Sequence, residues 1–328
     1  MEKKILLSAR GLSKDFPVSG KRRLHALSRV DLDIYEGETL ALVGESGCGK
    51  STTGRLLMRL MDPTEGSIVF EDKEIMKMSK SELKAVRRDI QMVFQDPYAS
   101  LNPRHTVKKI LEEPLIVHGV GNKEERRKRI REMMDVVGLS TYHLDRYPHQ
   151  FSGGQRQRIG IARALMTKPK LIIADEPVSA LDVSIQAQVL NLLKDIQAEF
   201  GLTYIFIAHD LGVVRHISDR VGVMYLGKLV ELADSEEVYT NPLHPYTKAL
   251  LSSVPIPDPD IKRERIELTG DIPSASNPPS GCAFHTRCVY AMDACKSIHP
   301  VYQDVEKGHY AACHLYDDAI SNDNKIKK

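Results

Sequence analysis

The chain has 328 residues, which at about 150 residues per domain predicts about two domains. Its 46 Lys and Arg against 44 Asp and Glu leave a formal charge of +2, which excludes the signature of a dedicated nucleic-acid binder and that of an acidic tail. No apolar run approaches the roughly 18–20 residues that a bilayer needs, and the opening sequence MEKKILLSARGLSKDF lacks a secretory h-region and cleavage site. The sequence predicts a cytosolic chain that would serve a membrane only from its surface.

The first strong element is an apolar strand over residues 39–43, followed by a glycine-rich loop and a helix. The predicted apolar stripe of that helix is Leu56, Leu57, Leu60 and Met61. Two further strands, 170–174 and 203–208, end in polar residues, and a helix capped by Ser184 and closed by Gly201 is predicted between them. Apolar strands alternating with amphipathic helices predict an α/β fold with a largely parallel sheet, whose carboxyl edge gathers ligands.

Two other regions differ from this pattern. Residues 96–164 are poor in predicted strands, and the charged run from Lys123 to Arg131 predicts a solvated helix. A basic nucleic-acid arm is the less favoured interpretation, because Glu124 and Glu125 interleave with the basic residues. From about residue 255 prolines punctuate the chain, in PIPDPD and then DIPSASNPPSGC, which predicts a domain boundary.

The loop after the first strand has the phosphate-binding pattern Gly-x-x-x-x-Gly-Lys-Ser. Its glycines let backbone N–H groups point at the phosphates of a nucleotide, and the helix that follows adds its positive dipole end. Lys50 would bring a cation to the β- and γ-phosphates, Ser51 would ligate Mg²⁺, and Cys48 would contribute only backbone. The predicted nucleotide-binding residues of the loop are Gly44, Glu45, Ser46, Gly47, Cys48, Gly49, Lys50, Ser51 and Thr52.

Two acidic residues complete the predicted site. Asp175 follows four apolar residues and would hold Mg²⁺ through water, and Glu176 would polarise the water that attacks the γ-phosphate. A second anion cradle begins a helix at Ser152, Gly153, Gly154 and Gln155. Two cradles and one triphosphate predict a head-to-tail dimer, in which each ATP is held by the loop of one subunit and the second cradle of the other.

The order and spacing of these segments resemble an ABC-type ATPase over roughly residues 1–250. The resemblance implies that Gln95 senses Mg²⁺ and water and couples the site to a membrane partner, and that His209 holds the γ-phosphate. It also implies that Asp182 contacts the opposite subunit and that Phe16 stacks on adenine, although a core phenylalanine is the competing interpretation. The implied catalytic residues are Glu176, His209, Gln95 and Lys50, and the implied Mg²⁺ ligands are Ser51, Gln95 and Asp175.

The fold that this resemblance implies is a P-loop (RecA-like) cassette with an antiparallel β subdomain and an α-helical subdomain. The nucleotide-binding core, with the β subdomain, would occupy residues 1–95 and 165–254. The helical subdomain with the second cradle would occupy residues 96–164. A small C-terminal cysteine-cluster domain would follow over residues 255–328.

Finer features resemble the ATPase subunits of oligopeptide and dipeptide importers, and more closely the second ATPase of such pairs. They are QDPYASLNPR from Gln95, the sequence HPYT from His244, and GCAFHTRC near the end. The resemblance implies peptide uptake with two transmembrane permease subunits, an extracytoplasmic peptide-binding protein and a peripheral place on the cytoplasmic face of the cell membrane. A sister ATPase is the implied dimer partner and self-pairing the alternative. Nickel or glutathione uptake, and a soluble ABC ATPase acting on ribosomes or DNA, are the competing functions.

The last distinctive feature is a set of four clustered cysteines, Cys282, Cys288, Cys295 and Cys313. Because disulfides are disfavoured in a reducing cytosol, the set predicts a metal site. Chemistry alone leaves Zn²⁺ and an iron–sulfur cluster about equal, with four free buried cysteines as the remaining alternative. The resemblance implies a structural [4Fe–4S] cluster. The neighbouring histidines are predicted to lie at the surface or around the ligands, not to be ligands: His285, His299, His309 and His314.

Overall fold

A computed structural model describes residues 3–18, 22–254 and 266–317. The strands of these described residues are β1 (Ile5–Pro17), β2 (Arg23–Tyr35), β3 (Thr39–Val43), β4 (Glu65–Phe70), β5 (Lys73–Glu74), β6 (Ile90–Val93), β7 (Leu171–Asp175), β8 (Thr203–Ile207), β9 (Arg220–Tyr225), β10 (Lys228–Asp234), β11 (Tyr302–Glu306) and β12 (His309–Ala312). The α-helices are α1 (Lys50–Leu57), α2 (Lys80–Asp89), α3 (Val107–Val117), α4 (Lys123–Val136), α5 (Gly153–Leu165), α6 (Val183–Phe200), α7 (Leu211–Arg215), α8 (Ser235–Thr240), α9 (Pro245–Ser252) and α10 (Asp293–Ser297).

The chain forms two compact units, and the first contains residues 3–6, 34–39 and 72–207 of the described chain. Its strands β6, β7 and β8 are parallel, with Ile90 opposite Leu171 and Leu171 opposite Thr203. Every residue of β7 and β8 is buried, as expected for parallel strands covered on both faces. Helices α2 to α6 belong to the same unit, and residues 96–164 contain only helices and loops, as the sequence predicts.

The second unit contains residues 7–18, 22–33, 40–71, 208–254 and 266–317 of the described chain. Strand β3 pairs in parallel with β9, and β9, β10, β12 and β11 continue in that order as antiparallel neighbours. A separate antiparallel pairing joins β1 to β4. The hairpin of β11 and β12 therefore extends the sheet that contains β3, the strand that leads into the phosphate loop.

Several predicted elements are confirmed. Strand β3 has the predicted bounds, the charged run lies on α4, and Gly201 ends α6 in the left-handed conformation with a φ of 63°. The predicted strand at 170–174 is displaced by one residue, since β7 ends on Asp175 itself. The proline-rich sequence PIPDPD, on which the predicted domain boundary depends, lies outside the described residues.

Two predicted helix details are wrong. Helix α6 begins at Val183 with Asp182 as its N-cap, so Ser184 lies inside the first turn and does not cap the helix. Helix α1 ends at Leu57, which places Leu60 and Met61 beyond the helix, and Leu60 is exposed. The cause is a turn at Met58 and Arg59, where Arg59 adopts a φ of 50° and the helical hydrogen bonds stop.

The helices of the described chain are short. The longest of them, α6, covers 18 residues. Across the ranges that the structure describes, no helix combines the length and the apolar character that crossing a bilayer requires.

Candidate nucleotide site

The phosphate loop joins the buried strand β3 to helix α1 in the second unit. Gly44 and Gly49 adopt φ values of 148° and 107°, a range that side-chain-bearing residues rarely occupy. A Cβ added to Gly44 would collide with the carbonyl oxygen of Met224, and one added to Gly49 with that of Ala26. Both glycines are therefore required by the backbone path of the loop.

The Lys50 side chain is folded back over this loop. Its ammonium donates hydrogen bonds to the carbonyl oxygens of Gly44, at 2.7 Å, and Glu45, at 3.0 Å. The residue is the first of α1, where the N–H groups of the opening turn have no partner within the helix. Burial raises the pKa of the neighbouring Cys48 thiol, against the opposing effect of Lys50, which leaves the thiol protonated at neutral pH. Lys50 is thus held where an anion at the helix terminus would meet a cation.

Glu45 is fixed by two residues of the HPYT and GCAFHTRC motifs to which the sequence analysis gave no role. Its carboxylate accepts two hydrogen bonds from the guanidinium of Arg287, and its backbone N–H donates to the Tyr246 hydroxyl at 2.8 Å. Arg287 lies 242 residues further along the chain. The motifs mark these residues, but periodicity and local motifs do not say which distant side chain each of them contacts.

The acidic residues of the first unit lie at the end of β7. Asp175 is the last residue of the strand and is buried. Glu176 follows with a φ of 46°, and such a conformation at a residue with a side chain is a typical feature of functional sites. Gln95 Nε2 donates to Glu176 Oε2 at 3.0 Å. The structure thus brings the predicted base and the predicted sensor of Mg²⁺ into direct contact.

The second anion cradle forms the start of α5, also in the first unit. Ser152 is the N-cap: its hydroxyl accepts from the Gln155 N–H, and the Gln155 side chain accepts from the Ser152 N–H. Ser152 is exposed, whereas Gly154 is buried so tightly that a Cβ there would lie 2.5 Å from Ile185 Cγ2. Asp182, the predicted contact with an opposite subunit, is exposed.

The two remaining predicted residues belong to the second unit. His209 follows β8 and is exposed. Phe16 lies on β1 and is half-buried, with the Lys14 ammonium 5.2 Å from its ring centroid.

The four clustered cysteines come together in the second unit. Cys282, Cys288, Cys295 and Cys313 line one small cavity, whose other walls include Phe284. Burial raises the pKa of the Cys288 thiol to about 11 and that of Cys313 to about 12. The donor set fits a group held by four thiolates. In the part of the chain that the structure describes, however, no three Cys, His, Asp or Glu side chains are arranged as metal ligands, so a cluster is not confirmed.

The neighbouring histidines differ in their surroundings. His299 is exposed as predicted, and His285 Nδ1 lies 2.8 Å from the Cys282 carbonyl oxygen. His309 and His314 are both buried and do not lie at the surface. His309 Nε2 lies 2.8 Å from Glu231 Oε1 and His314 Nε2 lies 2.9 Å from the Ile298 carbonyl oxygen, so both have structural partners.

Comparison with known proteins agrees with this geometry. The family described as ABC transporter matches residues 27–179, and the family described as oligopeptide/dipeptide transporter, C-terminal region, matches residues 230–295. A dimeric post-hydrolysis structure of the ATP-binding cassette MJ0796, bound to ADP and Pi, has a TM-score of 0.64 and 34% identity, covering 70% of this chain and 98% of that one. The fold is therefore the ABC ATPase cassette, with its antiparallel sheet and helical part.

Individual relatives show to which group of ABC transporter proteins the chain is similar. The oligopeptide transport ATP-binding protein AppF of Bacillus subtilis is 56% identical over 320 residues, covering 95% of this chain and 97% of that protein. The dipeptide transport ATP-binding protein DppF of Haemophilus influenzae is 52% identical over 314 residues, covering 94% and 96%. The chain belongs to the ABC transporter ATP-binding proteins of the oligopeptide/dipeptide transporter family, and it is an ATPase.

Proposed function

We propose that this ATPase energises the import of oligopeptides or dipeptides through a membrane transporter. The observation that carries the proposal is the match to peptide-transport ATP-binding proteins along 94–95% of the chain. That match includes the C-terminal region, which a generic cassette such as MJ0796, covering 70% of the chain, does not account for. The protein would act at the cytoplasmic face of the cell membrane as a peripheral subunit.

In the proposed reaction water attacks the γ-phosphorus of ATP, and the bond to the β–γ bridging oxygen breaks to give ADP and phosphate. Glu176 accepts the proton of the attacking water, and Gln95 orients it from the adjoining position. Lys50 and the loop N–H groups bind the β- and γ-phosphates, His209 the γ-phosphate, and Phe16 the adenine. Bound Mg²⁺, held by Ser51, Gln95 and Asp175, would neutralise charge on the phosphates.

We also propose that two cassettes face each other during the reaction. The N–H groups at the start of α5 are supported by a complete capping box and Ser152 is exposed, so this terminus has the form of an anion-binding surface. It would grip the γ-phosphate held by the opposite subunit, with Asp182 beside it. ATP favours the closed pair and hydrolysis releases it. A sister ATPase is the proposed partner, below two permease subunits fed by a peptide-binding protein.

We propose three parts of the chain, each with its own role in this function. Residues 1–95 and 165–254 form the nucleotide-binding core, 96–164 the helical part with the second cradle, and 255–328 the cysteine-bearing part. The four cysteines of that part are proposed to hold a structural [4Fe–4S] cluster, with Zn²⁺ as the alternative. The support is the convergence of four thiols on one cavity, together with the family resemblance.

Replacement of Glu176 by Gln tests the catalytic assignment. The amide keeps the shape of the side chain and its contact with Gln95 but does not accept the proton. We expect ATP binding to persist while hydrolysis falls by about two orders of magnitude or more. The measurement is phosphate release beside nucleotide affinity. The matched control is Glu132→Gln on the exposed face of α4, which should leave both quantities unchanged. Undiminished hydrolysis in Glu176→Gln would overturn the assignment.

A further inference from the structure

An ion pair joins the phosphate loop to the cysteine-bearing segment, which is residues 266–317 of the described chain. Arg287 Nη1 lies 2.8 Å from Glu45 Oε2 and Nη2 lies 3.1 Å from Glu45 Oε1, a two-point contact between a planar guanidinium and a carboxylate. The Arg287 side chain is 7% exposed and the Glu45 side chain 24%. A pair so withdrawn from water is screened much less than a surface salt bridge.

Each polar group of Glu45 has a separate partner. The carboxylate meets Arg287, the N–H donates to the Tyr246 hydroxyl, and the carbonyl oxygen accepts from Lys50. Glu45 is also the residue between Gly44 and Ser46 of the phosphate loop, so its conformation sets the path of that loop. The carboxylate is drawn towards Arg287, and the Lys50 ammonium contacts backbone oxygens of the loop.

Arg287 is itself anchored by an aromatic cluster. The N–H of Arg287 donates to the Phe284 carbonyl oxygen, and the Phe284 ring is buried. That ring packs edge-on against Tyr225, with 5.2 Å between centroids, and lies 5.4 Å from Tyr246, the residue that also binds the Glu45 N–H. The turn that carries Arg287 and the loop that carries Glu45 therefore contact the same cluster of buried aromatic rings.

The charge of Glu45 gives this contact a role in nucleotide binding. A carboxylate within a loop that binds a triphosphate repels the ligand, and it competes with the phosphates for the Lys50 ammonium. Arg287 removes both effects, because it neutralises the carboxylate and fixes its direction. We propose that Arg287 is a positioning residue of the nucleotide site, which makes the cysteine-bearing segment a functional support of the phosphate loop. The inference rests on the proposed binding of ATP by that loop.

A double-mutant cycle on the purified full chain tests the proposal, with affinity for a fluorescent ATP analogue and for ADP as the readouts. Arg287→Gln should raise the dissociation constant about tenfold, since it leaves an unneutralised carboxylate beside the phosphates. Glu45→Gln should raise the dissociation constant less than Arg287→Gln does. The double variant E45Q/R287Q should bind within about threefold of the original chain, because the offending charge is gone.

The rescue separates this role from general support of the fold. Residue 45 lies in the phosphate loop and not in the cysteine-bearing segment, so Glu45→Gln would not repair damage that Arg287→Gln had done to the fold of that segment. Additive losses in the double variant, or unchanged affinity in Arg287→Gln, would overturn the proposal. The matched control is Arg10→Gln, which removes an arginine whose Nη2 donates to both carboxylate oxygens of Asp33 and should not alter affinity.

Two further variants distinguish a failure of the proposed nucleotide site from a failure of the role of Arg287. Lys50→Ala should abolish nucleotide binding, and if it does not, the proposed nucleotide site fails rather than the role of Arg287 alone. If Arg287→Gln does not fold, Arg287→Lys takes its place, since it keeps the charge but not the two-point geometry. It should weaken binding about threefold, and adding Glu45→Gln should remove that loss. An unrescued loss would count against the proposal.

Discussion

Glu231 is a carboxylate with no exposed surface in the second unit. It accepts hydrogen bonds at 2.8 Å from the N–H groups of Leu243 and His244, and His309 Nε2 lies 2.8 Å from the same carboxylate. Burial opposes its ionisation most strongly, but the combined hydrogen bonds prevail and hold its pKa below its ordinary value of 4.5. The ionised group therefore joins β10, the start of α9 and β12 in one network.

Glu231→Gln should reduce the free energy of unfolding by about 2 kcal/mol at neutral pH, because hydrogen bonds to a charged acceptor are lost. The folded-state pKa is lowered, so the stabilisation is present above about 4.5 and disappears as the pH falls through the folded-state value. Denaturant unfolding of both proteins between neutral and acid pH checks this. Glu36→Gln, at an exposed pair with Lys4, should change stability by less than about 0.5 kcal/mol, and a gap that widened at low pH would contradict the expected sign.

At single residues, the sequence predicts what depends on near neighbours. Gly44 and Gly49 were predictable because the loop motif fixes the backbone that they must adopt. The contacts Gln95–Glu176 and Glu45–Arg287 join residues 81 and 242 positions apart, and only the fold determines which side chains meet. The left-handed conformation of Glu176 was likewise not predictable, since no residue type in that position demands it.

Among the elements, contiguous strands were easier to predict than helix ends. Strand β3 is apolar throughout and bounded by charge and glycine, so its limits follow from the sequence. The start of α6 was misplaced because Asp182 and Ser184 are both residue types favoured at the N-cap, and the helix begins after the first of them. For the cysteine-bearing segment, the sequence predicted which cysteines cluster. It did not predict that β12 pairs with β10 and so attaches the segment to the sheet that contains β3.

The cysteine-bearing segment provides a prediction of its own, because four thiols around one cavity suit a bound metal group. Protein purified without oxygen should contain iron and sulfide, and absorb in the thiolate-to-iron region. Cys295→Ser should lose this metal and lower the melting temperature, since the proposed group would join α10 to the turns that carry the other three cysteines. Elemental analysis and absorption spectra measure both effects. Cys48→Ser, outside the segment, should retain the metal, and a colourless zinc protein would refute the iron assignment.

On the scale of the whole molecule, the predicted site residues are divided between the two units. Lys50, His209 and Phe16 belong to the second unit, and Glu176 and Ser152 to the first. The sequence predicted the ATPase class because its motifs are short and occur in a fixed order. It did not predict this division, since each unit is assembled from segments that are far apart along the chain.

The proposed pairing of cassettes is testable through Ser152→Glu, which places a negative charge where the γ-phosphate of the opposite subunit would lie. Steady-state hydrolysis by the assembled transporter should fall at least about tenfold, whereas the purified chain should still bind ATP through its own phosphate loop. Phosphate release and nucleotide titration give the two values. Ser81→Glu, on the exposed start of α2, should leave both unchanged. A loss of ATP affinity as large as the loss of hydrolysis would argue against a site shared between subunits.

The second unit contains early residues, 7–18, 22–33 and 40–71, together with late ones from 208 onwards. During translation, β3 therefore emerges long before β9, its parallel neighbour, and before the arginine that grips its loop. A nascent chain would lack β9, the parallel neighbour of β3, until residue 225 had been synthesised, and would lack the partner of Glu45 until residue 287 of 328, nearly nine-tenths of the protein. Prematurely terminated products should consequently be unable to complete the phosphate loop and should be targets for chaperones and proteases.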